Sequence, residues 1–220
     1  MRYQQKHILL CILCLVWWIP DTLCAGELFS GIQVDTKYQY FGYVGARIPV
    51  YESIFVQGST GGFGYGEYDT HVQVLRTDVQ FLNTAIGLTK SYHDYTIGIL
   101  TGTQFRRFEE EHKSYSRVGG FAQIELGYQR ERLSVQTVFN YTSLSNFFWS
   151  RIRGGYQIHS SVFGGFDVAA MGNAGYYAIQ TGPVIMIPIR DVLVLMKGGY
   201  QTDSTFHSGA YGGLEYSLSF

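Results

Sequence analysis

The sequence predicts an all-β fold, a transmembrane antiparallel up-and-down β-barrel of about 12 strands, from three observations. The chain contains 18 Tyr, 15 Phe and 27 Gly among its 220 residues. Aromatic rings favour bilayer interfaces, and strand glycines permit bends and close packing. Short runs of alternating apolar and polar residues recur along the chain, with turn-forming residues between them. The last run ends the chain on Phe220.

The first residues have the pattern of a secretory signal peptide. Arg2 and Lys6 give a positive start, and residues 8–19 are almost wholly apolar. This apolar run is too short for a spanning helix, which needs about 20 residues. We therefore predict a signal peptide at residues 1–25 and an outer-membrane barrel domain at residues 26–220. An N-terminal membrane anchor is the alternative interpretation.

The three cysteines, Cys11, Cys14 and Cys24, all lie in the predicted signal peptide. The chain after cleavage would have no disulfide and no cysteine-based metal site. Lipidation at Cys24 is a weaker alternative, because residues 21–23 are a poor approach to a lipidated cysteine. The remaining histidines are scattered without ligand spacing, so no metal and no cofactor are expected. A formal net charge of −1 gives no indication of nucleic acid as a partner.

Twelve segments alternate in the manner of spanning strands. They are residues 28–36, 38–48, 54–65, 72–90, 95–108, 115–129, 133–141, 148–158, 161–171, 176–187, 192–202 and 207–220. An even number places both termini on the periplasmic side, so connections after even-numbered strands should be short. Segments 66–71 and 108–114 are predicted as external loops. A hairpin within residues 72–90 would change the count to ten or fourteen.

Two further features qualify this prediction. Pro183 lies inside the tenth strand and has no N–H for the ladder, so a bulge is expected there. A soluble antiparallel sandwich also alternates, but it buries its apolar face and usually contains fewer aromatic residues.

The last strand has two chemically different faces. Phe220, Leu218 and Tyr216 alternate with Ser219 and Ser217, which places an apolar, aromatic set on one face. A strand that ends the chain on an aromatic residue resembles the closing strand of bacterial outer-membrane barrels. We therefore expect this set to form the barrel-closing signal, the bacterial outer membrane to be the location, and outer-membrane lipid to be a partner.

The opposite face of the strands carries the candidate functional residues. The candidate lumen-facing or glycan-facing residues are Trp149, Arg151, Arg153, Glu125, Lys197, Glu215 and Tyr211. One interpretation is a polar plug of ion pairs that fills a narrow barrel, since about 12 strands leave little free lumen. The other is an interior that faces carbohydrate, because sugars bind to aromatic faces and planar hydrogen-bonding side chains.

Catalytic residues are not predicted. His207 and Ser208 with Glu215 are similar to the His, Ser and Glu of lipid A deacylases, but adjacent strand residues point to opposite faces. His159 and Ser160 have the same spacing. A dyad needs both side chains within hydrogen-bond reach of one another and of the substrate, so we predict that the chain is not an enzyme.

Aromatic and glycine positions over most of the chain after the predicted signal peptide resemble the BcsS family of bacterial cellulose biosynthesis proteins. The matching segments are residues 28–32, 149–156, 163–166, 172–173, 176–177, 182, 199–204 and 208–212. Family members usually have small polar residues where Pro183 and Pro188 lie here. The resemblance implies a non-enzymatic role in making, exporting or anchoring cellulose or another exopolysaccharide, with the cellulose-export machinery as partner.

Two other function classes remain open. A small general porin or solute channel is the first alternative, and an outer-membrane lipid-modifying enzyme such as a lipid A deacylase is the second. The state of the lumen distinguishes a channel from an accessory protein with a plugged barrel, because a channel needs an open path through the lumen.

Overall fold

The computed structural model describes residues 26–36, 39–68, 74–110, 113–204 and 208–220. These residues form a closed antiparallel barrel of twelve strands, in which each strand pairs with its sequence neighbours. The strands are β1 (Glu27–Asp35), β2 (Tyr40–Tyr51), β3 (Ile54–Tyr68), β4 (Val74–Tyr92), β5 (Tyr95–Glu110), β6 (Lys113–Arg130), β7 (Leu133–Thr142), β8 (Phe147–His159), β9 (Val162–Asn173), β10 (Tyr176–Ile189), β11 (Val192–Asp203) and β12 (Ser208–Ser219). The predicted fold class and the count of twelve are confirmed.

The first and last strands close the barrel. β1 pairs antiparallel with β12, with Leu28 opposite Leu218. The ladder continues one step further, where the Phe220 N–H donates to the Gly26 carbonyl over 2.9 Å. A side chain on Gly26 would collide with the Phe220 ring, so glycine at this position lets the terminal aromatic lie against the first strand.

The two ends of the barrel differ in their connections. Five two-residue turns join the strands at one end, which we call the short-turn end. Four of these turns begin with a residue of positive φ: Glu52, His93, Glu131 and Arg190. The opposite end, the loop end, holds the 3₁₀ turn Leu144–Asn146 and the connections that surround the undescribed segments. Short connections after the even-numbered strands are as predicted, and they mark the short-turn end as periplasmic.

Four consecutive strands form a taller wall. β3 to β6 have 15, 19, 16 and 18 residues, whereas the other strands have 9 to 14. A tilted spanning strand needs about 9–11 residues, so this wall continues beyond the bilayer at the loop end.

The prediction of one strand over residues 72–90 is confirmed for their described part, since β4 contains no hairpin. The two predicted external loops were wrong in part, because β3 continues to Tyr68. The predicted external loop at residues 108–114 is mostly strand, because β5 continues to Glu110 and β6 begins at Lys113. Cross-strand pairing of Phe108 with Tyr115 extends the ladder into a charged segment that has the composition of a loop. Predicted loop residues 69–71 lie outside the described residues.

The bulge expected at Pro183 was also wrong. Pro183 pairs in register with Phe166 of β9, and β10 keeps one register with β11 on both sides of the proline. The ladder to β11 is interrupted instead, since proline has no N–H to donate. The two strands approach closely at this interruption, through Gly182 and Gly199. A Cβ at either position would collide with the facing backbone, and glycine has none.

The outer surface has the chemistry of a bilayer-facing barrel. Ile32, Leu82, Ile86 and Ile97 are all half or more exposed. Exposed tyrosines lie toward both ends: Tyr92, Tyr95 and Tyr156 at the short-turn end, and Tyr141, Tyr177 and Tyr200 toward the loop end. An apolar band between aromatic girdles is the surface of transmembrane barrels. Within the described ranges, no helix has the length and apolar character needed to cross a membrane.

We expect Phe220→Asp to impair insertion into the outer membrane, because it places a charge on the lipid face at the strand pair that closes the barrel. The measurement is the amount of heat-modifiable protein in the outer-membrane fraction. Phe220→Tyr, which keeps the aromatic ring, is the matched control and should insert normally. Equal outer-membrane amounts of the Asp variant and the parent chain would contradict the prediction.

Candidate functional site in the barrel lumen

Strand alternation places polar side chains inside the barrel. The register sets Arg47 opposite Gln57, Arg153 opposite Asp167, and Lys197 opposite Gly213 of β12. Apolar residues between them, such as Ile152 and Leu214, are exposed on the outside. The inward side chains form two hydrogen-bonded clusters, each organised by one glutamate.

Glu215 on β12 is the centre of the larger cluster, which we call the Glu215 cluster. Its carboxylate accepts hydrogen bonds from Arg151 Nη1 at 3.1 Å and Arg153 Nη1 at 2.9 Å, and Lys197 Nζ lies 2.9 Å away. Arg153 also donates from Nε to Asp167 Oδ2 over 2.7 Å. The Arg153 and Asp167 side chains are 4% and 3% exposed. These charges are buried, and each needs its partners to offset the loss of hydration.

Glu125 on β6 is the centre of the second cluster, which we call the Glu125 cluster. Arg47 contacts both carboxylate oxygens, with Nη1 at 3.0 Å and Nη2 at 2.7 Å, a bidentate arrangement that orients both groups. Gln57 accepts two further hydrogen bonds from the same guanidinium. Gln123 donates to Glu125, and Asn140 donates in turn to Gln123. The cluster thus joins β2 and β3 on one side of the barrel to β6 and β7 on the other.

Both clusters cross the interior instead of following one wall. Arg151 and Glu215 lie on β8 and β12, and Arg47 and Glu125 lie on β2 and β6. In each case the two strands are four places apart in a ring of twelve. Side chains that meet across such a span lie in the lumen, so the two clusters fill its middle.

Apolar side chains fill the lumen below these clusters. Val184, Met186 and Leu195 form a buried core at the short-turn end, with Phe163 and Leu193 packed against it. Across the barrel, Phe55 and Leu100 are 2% and 1% exposed. The Arg47 guanidinium lies over the Phe55 ring at 4.3 Å, which joins the apolar layer to the Glu125 cluster. The periplasmic half of the lumen is therefore packed like a protein core.

The structure brings most of the residues singled out in the sequence into these clusters. Arg151, Arg153, Lys197 and Glu215 form one cluster, and Glu125 belongs to the other. Trp149 lies beside the first, with the Arg151 guanidinium 5.4 Å from its ring centre. Tyr211 is buried, facing Gly199 of β11. Phe220, Leu218 and Tyr216 lie at the seam between β1 and β12.

Arg117 is an inward residue that the sequence pattern did not single out. It lies on β6 directly opposite Arg106 of β5. It falls within the predicted strand of residues 115–129, and alternation places it on the inner face with Gln123 and Glu125. The signal for an inward arginine was therefore present in the sequence.

The possible catalytic pairs do not assemble a triad in the described part of the chain. Ser160 Oγ lies 3.0 Å from His159 Nδ1, at the exposed turn between β8 and β9, and the structure gives this pair no carboxylate partner. Ser208 begins β12 and donates to Thr202, whereas His207 lies outside the described residues. No group of three or more His, Asp or Glu side chains among the described residues could hold a metal ion.

Comparison with solved structures defines the class of protein. The chain is similar to the β domain of the Bordetella autotransporter BrkA, with a TM-score of 0.54 and 11% identity over 89% of this chain and 98% of that chain. It is also similar to the KdgM porin, with a TM-score of 0.51 and 8% identity over 88% and 99% of the two chains. At these identities the likeness shows the fold, which is that of an outer-membrane β-barrel.

No family model matches the chain, and no curated protein matches it. The resemblance to the BcsS family therefore stays a prediction.

We expect Glu215→Gln to destabilise the folded barrel by about 3–5 kcal/mol, because it leaves three cations without their shared carboxylate in a buried site. Urea unfolding of the purified barrel in detergent micelles measures this change.

The matched control is Glu109→Gln. Glu109 pairs with Arg107 at 3.1 Å, and both side chains are about half exposed. Its replacement should change the unfolding free energy by no more than about 0.5 kcal/mol. Equal effects of the two substitutions would show that the Glu215 cluster does not hold the barrel walls together.

Proposed function

We propose that this chain is an outer-membrane barrel with a closed lumen, which serves as a non-enzymatic accessory in the export or surface anchoring of an exopolysaccharide. The observation that carries the proposal is the pair of charge clusters that meet across the lumen above an apolar layer. A barrel filled in this way is suited to present a surface at its external end, since it leaves little path for solutes.

Cellulose is the polymer that the resemblance to the BcsS family implies. The support consists of spaced aromatic and glycine positions over most of the chain, together with the barrel fold and the filled lumen. In this role the protein would act with the cellulose-export machinery, and the loop end, where the tall wall of β3 to β6 rises, would face the polymer.

A small-solute channel is the second candidate, and one observation favours it. The Arg47–Glu125 pair is 23% and 25% exposed, several times more than the Arg153–Asp167 pair at 4% and 3%. The lumen beside the Glu125 cluster is therefore less tightly packed than the lumen beside the Glu215 cluster. A porin, KdgM, shares the fold, and charged side chains on the wall of a channel could select its solute.

Conductance separates the two candidates. In planar bilayers the purified barrel should give no steady current, because both clusters and the apolar layer lie in the path. Glu125→Ala with Arg47→Ala, which removes the more exposed pair, should open a small conductance if this pair closes the remaining space. A steady single-channel current from the parent protein would contradict the closed-lumen proposal and support the channel.

The proposed role in polysaccharide export or anchoring is tested in cells that carry the combined Arg151→Gln and Arg153→Gln variant. Both arginines donate to Glu215, so the variant should melt at a lower temperature, because Glu215 and Asp167 lose their arginine partners. The amount of dye-binding matrix on these cells should stay in proportion to the amount of folded protein in the outer membrane. A strain without the protein should lose this matrix.

Two outcomes would contradict this expectation. Unchanged matrix in the strain without the protein would refute the accessory role. A normally melting double variant that loses matrix would show that the arginines contact the polymer, and that the lumen is the binding site and not a filled core.

A further inference from the structure

Two arginines at the loop end of the lumen differ from the inward cations below them. Arg47, Arg151, Arg153 and Lys197 each contact a carboxylate. Among the described residues, no carboxylate forms an ion pair with Arg106 or Arg117, which are direct cross-strand partners on β5 and β6. Like charges directly opposite one another destabilise a sheet, so this pair carries a cost that the fold itself does not require.

Aromatic rings hold these two guanidinium groups in place. The Arg117 guanidinium lies 5.2 Å from the Tyr115 ring centre and 5.9 Å from that of Phe108, and Arg106 lies 6.0 Å from the Phe63 ring. Nε of Arg106 is buried and has no hydrogen-bond partner in the described structure. Ring faces thus position both arginines, and Nε of Arg106 is a buried donor that another group could satisfy.

Exposed rings line the same external mouth. Phe108 and Tyr115 are stacked, with ring centres 4.9 Å apart and planes 11° from parallel. Phe41 faces inward opposite Phe63 and is 37% exposed, so solvent reaches the lumen beside this ring. The mouth therefore combines exposed apolar ring faces with two guanidinium groups.

This combination matches an acidic polysaccharide. Guanidinium groups bind carboxylates through paired N–H donors, and the C–H faces of sugar rings pack on aromatic side chains. Lipid phosphates do not reach this position, because both arginines point into the barrel. Arg107, the neighbour that points outward, is already paired with Glu109. A peptide that adds a strand could use the part of β6 that rises above its pairing with β7, but it would bind the backbone there, not the two inward guanidinium groups.

We propose that Arg106 and Arg117, with the stacked Phe108–Tyr115 pair, form a binding site for the carboxylate-bearing sugars of an acidic polysaccharide at the external mouth. The choice of a polysaccharide rests on the proposed function, whereas the anion site rests on the arginine pair. The site narrows the polymer class, because neutral cellulose offers hydroxyl acceptors but no negative charge to balance two guanidinium ions.

Binding to the purified barrel in uncharged detergent tests this proposal. The probes are an oligoglucuronate, a cello-oligosaccharide and inorganic phosphate. The oligoglucuronate should bind most tightly, and its affinity should fall with added salt. Combined Arg106→Gln and Arg117→Gln should weaken this binding at least about tenfold, which corresponds to ~1.4 kcal/mol for the loss of two charge-assisted contacts. Arg107→Gln is the matched control and should bind like the parent.

Thermal melting shows whether the arginines serve binding or structure. Removal of a like-charge pair should leave the melting temperature of the double variant unchanged or raise it. A lower melting temperature would overturn the proposal, because it would mean that the arginines hold the wall together. Arg106→Lys with Arg117→Lys keeps the charge without the planar fork and should recover only part of the affinity.

Three binding outcomes would also overturn the proposal. Equal affinity for the cello-oligosaccharide would show that charge is not recognised. Phosphate binding as tight as that of the oligoglucuronate would show a site for a free anion. Unchanged oligoglucuronate binding by the double Gln variant would place the site elsewhere. Oligoglucuronate binding is measured on purified protein, whereas the accessory role is measured as matrix on cells. A failure of the binding proposal is therefore distinguishable from a failure of the accessory role.

Discussion

The closure of β1 on β12 is the constraint on which the rest of the structure depends. A bilayer core offers no water to unpaired backbone N–H and C=O groups, so a sheet can cross it only as a closed barrel. Here the ladder from Glu27 opposite Ser219 to Asp35 opposite Tyr211 removes the last free edge, and the Phe220 backbone extends it to Gly26. Once the barrel is closed, every strand has one face toward lipid and one toward the lumen, and the polar half of each alternating strand must lie inside.

Charged side chains enclosed in a narrow lumen then need ion-pair partners. The charges around Glu215 and Glu125 have such partners, through contacts between strands four places apart. The packed apolar layer at the short-turn end fills the rest of that part of the lumen. Arg106 and Arg117 are different, because they lie toward the loop end, where the described structure places aromatic rings and no carboxylate beside them. The barrel therefore has a lower part whose polar groups satisfy each other and an upper part whose cations are oriented toward the mouth. A division of this kind suits a protein that is stable in the membrane and binds at its external end.

The alternation of apolar and polar residues predicted the strands well where apolar residues face lipid and polar residues face the lumen. Residues of β7 and β8 alternate over most of their length, and both strands lie within one residue of their predicted bounds. Prediction failed where composition and pairing disagreed. The charged residues from Glu109 to Lys113 have loop composition, yet the cross-strand pairs of β5 and β6 carry the ladder through most of them. Pro183 indicated a bulge, but Gly182 and Gly199 let the strands stay in register with a local gap in the ladder. In both cases the deciding contacts come from a neighbouring strand that the local sequence does not reveal.

The sequence by itself determined the fold class, the number of strands, and the face on which each candidate residue lies, because a period of two follows from local backbone geometry. It also indicated that Arg151, Arg153, Lys197 and Glu215 share one interior. Only the tertiary structure decided which of these charges meet, since Arg151 and Glu215 are 64 positions apart along the chain and come together through barrel curvature and strand register. The same register sets Arg106 opposite Arg117 without an acid between them. Alternation assigns a side chain to a face, whereas its partners depend on the shift between strands, which accumulates around the whole barrel and is set by all twelve pairings together.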